Sequence, residues 1–125
     1  MISYKYNKDK EIVETIITGT VKIKDLTEYI ITLGKDKNLP ETLKILTDAR
    51  NAEFYPETQP EDLAEVVKAN YKSLVARNYV YDAFTVSTPT ETAMGKLYEE
   101  FSKAENYKFK IFSTMEAAEK WLNKF

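Results

Sequence analysis

Tyr79-Val-Tyr-Asp-Ala-Phe-Thr-Val-Ser-Thr-Pro-Thr-Glu-Thr-Ala-Met94 is the stretch that decides how this chain folds. Its first half, Tyr79 to Val86, is the most apolar run in the sequence and is rich in aromatic and β-branched residues, the composition of a buried strand. The run gives way to Thr88, and Glu91 follows three residues later. A Thr hydroxyl at a helix N-cap can satisfy the amide three residues on while the Glu reaches back, so the pair reads as a capping box. Pro89 fits the first helical position, where its missing N–H leaves nothing unpaired that a helix would pair. The pattern recurs at Thr58-Gln-Pro-Glu61 and at Ser113-Thr-Met-Glu116. Since the last two boxes directly follow strand-like segments, the chain reads as strand and helix in alternation.

Working outward, Ile2 to Tyr6 alternates apolar and polar residues and Ile12 to Thr18 is β-branched, with Asn7-Lys-Asp-Lys10 between them. This predicts a hairpin whose second strand closes at Gly19. Ile23, Leu26, Ile30 and Leu33 then recur at helical spacing up to Gly34, a C′ candidate. Leu43 to Thr47 reads as a strand buried on both faces, with Asp48-Ala-Arg50 at its carboxyl end and an irregular segment over Asn51 to Gln59. The next helix carries Leu63, Val66, Val67, Tyr71, Leu74 and Val75 on one stripe, and a third places Ala93, Met94, Leu97, Tyr98 and Phe101 together. Tyr107-Lys-Phe-Lys-Ile111 alternates strictly, as an edge strand does. The last helix carries Ala117, Ala118, Trp121, Leu122 and Phe125, with Trp121 and Leu122 expected in the core. Helix N-termini are expected near residues 22, 60, 89 and 114. The fold class is therefore α/β, a mixed, mostly parallel five-stranded sheet with four main helices in the order β-β-α-β-α-β-α-β-α, one domain over residues 1–125.

Composition narrows the chemistry. Cysteine and histidine are both absent, which removes thiol nucleophiles, Cys/His metal sites and every imidazole-based acid–base scheme. With 18 basic and 20 acidic residues interspersed, no basic stripe offers itself to nucleic acid. The three glycines do not form a phosphate-cradling turn. No cofactor or metal is expected. No signal-peptide pattern or membrane-length apolar run is present, so a cytoplasmic protein is the expectation.

Several segments together are similar to the SpoIIAA-like (STAS/SEC14-like) bacterial proteins: Gly19-Thr-Val-Lys-Ile-Lys-Asp-Leu26 after the hairpin, Ile45-Leu-Thr-Asp48-Ala-Arg50, Val86-Ser-Thr-Pro89 before Ala93-Met94, and the terminal Phe112-Ser-Thr-Met-Glu-Ala-Ala-Glu-Lys-Trp121-Leu122. The resemblance implies a sheet wound with helices, and a relation to anti-sigma-factor antagonists that change partners when a Ser or Thr at a helix N-terminus is phosphorylated. Thr58 is the nearest match to that position. It departs from the family turn, because Glu57 and Glu61 flank it where small residues are usual, and both would repel a phosphate.

A small non-enzymatic binding or regulatory module is the leading functional reading, its partner a protein or an apolar small molecule. The alternatives are an enzyme working with Ser, Thr, Asp and Lys, and a structural homodimer. Ligands of open α/β sheets usually sit at the carboxyl ends of strands, which points to Asp48, Arg50, Ser87 and Thr88, with Phe54 and Tyr55 as a cover. An apolar-ligand carrier would instead need an enclosed pocket lined by residues such as Met94, Leu97 and Phe54. Asn70, on an apolar stripe, is expected to hydrogen-bond a neighbouring loop. Gly95, inside a helix, is expected to mark close approach of helix to sheet.

Overall fold

A computed structural model describes residues 1–125. Five strands form one sheet whose spatial order is the order in the chain: β1 (Ile2–Asn7), β2 (Ile12–Val21), β3 (Thr42–Phe54), β4 (Tyr79–Thr85) and β5 (Tyr107–Phe112). β1 runs antiparallel to β2, with Tyr4 opposite Thr15, and the other neighbours are parallel. The connections hold α1 (Ile23–Lys35), α2 (Leu63–Ser73, after a 3₁₀ turn at Pro60–Asp62) and α3 (Pro89–Phe101), and α4 (Met115–Leu122) follows β5. This is the architecture expected from the alternating pattern.

Parallel strands laid down in a single direction and joined by crossovers of one hand place every connecting helix on the same face. Accordingly α1, α2 and α3 cover one side, where Val13, Leu43, Ile45 and Val80 of the sheet meet Ile30, Leu33, Leu63, Val66, Met94 and Tyr98 of the helices in the main core. Only α4 reaches the other side. There Ala118 and Leu122, both fully buried, cover Ile12, Leu46 and Ala83. Trp121 is only half-buried, not in the core as expected. It stands at the rim of α4 in an aromatic group with Tyr81, Phe112 and Phe125. Far from α4, Ile16 keeps 53% of its surface exposed.

Several boundaries differ from the sequence reading, each for a local reason. β2 does not close at Gly19. It continues to Val21 through Gly19 at φ +77°, a conformation glycine adopts without strain. β3 likewise runs on through the segment expected to be irregular, because Thr18 to Val21 of β2 pair with Asn51 to Phe54. Gly34 lies inside α1 against Ser73 of α2, and Asp36 is the C-cap. Of the three expected capping boxes, the one at Thr88 forms its cap: Glu91 N–H donates to Thr88 Oγ1 at 3.3 Å, and the Thr88 hydroxyl donates to the Glu91 carboxylate. The other two shift by one residue. Gln59 is the cap before the 3₁₀ turn, its N–H held by Asp62 at 2.8 Å, and Thr114 caps α4 by accepting from Ala117 N–H at 3.1 Å. Ala93 and Phe101, expected on the packed stripe of the third helix, are exposed.

Arg77 and Asn70 are polar residues buried in the helical layer, and only Arg77 is paired. The Arg77 guanidinium donates to the carbonyls of Leu33 and Asp36 at 3.1 Å each and of Pro40 at 2.9 Å, closing the C-terminus of α1 from the end of α2. Asn70 is 1% exposed, yet neither atom of its amide finds a partner, so the expected loop hydrogen bond is not made. Gly95 does mark close approach: a Cβ there would stand 2.4 Å from Ile111 Cδ1.

Candidate functional site

β3 outruns its neighbour. The β3–β4 ladder ends where Asp48 faces Thr85, and Asn51 to Phe54 pair with β2 alone. This overhang, together with the first turns of α2 and α3, encloses a cavity of about 90 Å³ between the sheet and the helical layer. Its walls are Ile17 and Val21 of β2, Ala49, Ala52 and Phe54 of β3, Leu26, Tyr29 and Ile30 of α1, Leu63 and Val66 of α2, and Met94 and Tyr98 of α3. Seventeen of the twenty-two lining residues are hydrophobic, so the space suits an apolar body. Exposed Glu53 at the end of the overhang places the mouth on that side.

Three acids, Asp82, Glu91 and Glu53, break the apolar character, and Asp82 stands within the most apolar run of the sequence. Asp82 belongs to β4 and, by the two-residue period of a strand, shares its face with Val80 and Phe84, which sends its carboxyl inward. Tyr107, on the adjacent strand, donates to Asp82 Oδ2 at 2.6 Å. Since Tyr107 has one hydroxyl hydrogen and gives it to Asp82, the Tyr98 hydroxyl, 3.3 Å away, must donate to Tyr107. A directed chain Tyr98 to Tyr107 to Asp82 results. Burial pushes the Asp82 carboxyl up to about 6, with the Tyr107 hydrogen bond pulling back against it. Asp82 itself is half-buried and lines the cavity. Burial and the nearby Asp82 charge raise Tyr29, Tyr98 and Tyr107 above their ordinary range, so all three rings stay neutral donors. The Tyr29 hydroxyl is paired with Thr15 Oγ1 at 2.6 Å.

The residues singled out from sequence fall into two places. Phe54 and Met94 line the cavity. Asp48, Arg50 and Ser87 meet on the opposite face of the sheet and in the middle of β3, not at its carboxyl end. The register there advances two residues along β2, from Ile16 to Thr18, and three along β3, from Asp48 to Asn51, which is a β-bulge. Asp48 Oδ1 accepts from Arg50 N–H at 3.2 Å and from its Nε at 2.9 Å, and Oδ2 accepts from Nη2 at 2.9 Å. The Ser87 hydroxyl donates to the Arg50 carbonyl at 2.6 Å. Arg50 thereby holds the Asp48 carboxyl below the usual carboxylate range. The trio stabilises the bulged backbone. Thr88 is engaged in the α3 cap, and half-buried Thr58 sits one residue before the Gln59 cap. Leu97, named with Phe54 and Met94, packs against the main core without lining the cavity.

No family model matches the sequence, and no curated protein matches it. Among solved structures, the chain is similar to an uncharacterized protein of the DUF3478 family with a SpoIIAA-like fold from Shewanella loihica PV-4. The TM-score is 0.58 over 98% of this chain and 92% of that one, at 15% sequence identity. The fold is SpoIIAA-like. At that identity the likeness is one of architecture. No helix is long and apolar enough to cross a membrane.

Proposed function

We propose that this chain is a binding module whose ligand is a small, largely apolar molecule held between the sheet and the α1–α3 layer. The observation that carries the reading is the cavity itself, walled by hydrophobic side chains and provided with one inward carboxyl at Asp82. Cores are normally packed without voids larger than a water molecule, and a dry apolar cavity forfeits dispersion contacts that its lining could have made. Retaining one beneath the β3 overhang has a use if something fills it. Phe54 and Met94 are walls of this site in our reading. Asp48, Arg50, Ser87 and Thr88 lie outside it, their polar groups already paired within the chain.

Xenon tests the reading, since it enters apolar cavities and carries no chemistry of its own. Under xenon pressure, methyl resonances of Met94, Leu63 and Val66 should shift in a saturable way, and Ala49→Leu, which fills the cavity from the sheet side, should abolish the response. Methyl spectra insensitive to xenon would overturn the proposal.

A further inference from the structure

The charges around the cavity are of one sign. Asp82, Glu91 and Glu53 are its only ionisable carboxyl-bearing members, and no Lys or Arg is among the lining residues. Asp82 accepts a single hydrogen bond, at Oδ2, so Oδ1 has no partner in the protein. Around it stand aromatic faces: Tyr98 meets Phe109 edge to face at 4.7 Å between ring centres, and Phe84 lies 5.7 Å from Phe109. An apolar enclosure with a half-paired carboxyl, two further acids, aromatic rings and no cation rejects anions and favours a positive group. Building on the cavity as a ligand site, we propose that the ligand is a small apolar amine, its ammonium seated on Asp82 Oδ1 and its hydrocarbon body against Met94, Phe54 and Val66. The ammonium has three donors, enough for Asp82 and for a ring face or Glu91 besides.

Size restricts the body. A cavity of about 90 Å³ is smaller than the ~150 Å³ engineered cavity that accommodates the six carbons of benzene, which suits roughly three or four enclosed carbons, with longer bodies extending past Glu53.

The test compares three molecules of one shape, isopentylamine, isopentanol and isovalerate, by calorimetry and by amide-resonance titration on the wild-type chain and on Asp82→Asn. The amine should bind at least tenfold more tightly than the alcohol, and isovalerate should not bind. Asp82→Asn should weaken the amine at least tenfold while changing the alcohol less than twofold. Equal affinity for amine and alcohol, tighter binding of isovalerate, or an amine affinity untouched by Asp82→Asn would each overturn the amine assignment and leave the cavity as a site for neutral molecules. If xenon enters and none of the three compounds binds, the amine assignment also falls. If xenon is excluded as well, the cavity is no ligand site and both readings fail together.

Discussion

Tyr107 donates a 2.6 Å hydrogen bond to Asp82 Oδ2 across the β4–β5 ladder, so the one acid on the inner face of the sheet is held by a side chain from the edge strand. A short bond of this kind to a buried carboxylate is worth more than a neutral pair, but it does not cancel the loss of hydration.

Stability should therefore depend on pH through Asp82 in a particular direction. Its folded value of about 6 stands above the ordinary 3.8, so the contribution is fully present below the lower figure and is lost as pH rises through the upper one. The shift corresponds to roughly 3 kcal/mol. Asp82→Asn keeps an acceptor for Tyr107 and has no proton to lose. Urea denaturation should show the variant gaining on the wild type between pH 4 and pH 7 by about that amount, and a difference independent of pH would contradict the assignment.

Arg77 should be intolerant of replacement. Its guanidinium serves the carbonyls of Leu33, Asp36 and Pro40 from a buried position, and removing it leaves Pro40 without a donor and Leu33 and Asp36 with only the backbone N–H groups of Asp36 and Leu39. Arg77→Ala is expected to destabilise by about 3 kcal/mol. Arg77→Lys should recover little, because a point charge cannot span the separate carbonyls as a planar fork does. Full stability in the Lys variant would show that charge alone suffices.

Gly95→Ala should destabilise although alanine is the better helix former by about 1 kcal/mol. The new methyl would meet Ile111 Cδ1 at 2.4 Å and Cγ1 at 2.9 Å. Ile111→Val removes the nearer atom, so the double variant should lie closer to the wild type than the sum of the single changes. Strict additivity would place the source of the effect elsewhere.

On the far face, Leu122 is the anchor and Trp121 the rim. Leu122→Ala is expected to cost about 2 to 5 kcal/mol and Trp121→Ala clearly less, despite the larger side chain, because the indole is only partly buried and its aromatic neighbours can close over the gap. Thermal melts that rank the two in reverse order would show that the rim is as well packed as the centre.

What could be read from the residues followed from local rules. Thr88 and Pro89 announced α3, the Lys108 and Lys110 alternation announced an edge strand, and both hold in the structure. The length of β3 could not be read, because Asn51 to Glu53 are poor strand formers kept extended by pairing with β2, a tertiary effect. The same pairing creates the overhang and hence the cavity, so the site was hidden for the same reason. Asp82 did carry a signal: an acid in the most apolar strand, on the parity of Val80 and Phe84, had to face the helices. Asn70 on α2 stands out by the same logic, whereas Asp82 is masked by the aromatics around it in sequence.

The strand order also bears on how the molecule assembles. Every strand from β2 to β5 pairs with the strand before it in the chain, and none is inserted between earlier ones. As the polypeptide leaves the ribosome, each strand can dock on a template already made, and no finished ladder must reopen to admit a late arrival. The exception is the outer surface of Ile12, Leu46 and Ala83, which waits for α4, made after every strand of the sheet. Until then the nascent chain carries an uncovered apolar strip, which Ala118 and Leu122 of α4 close.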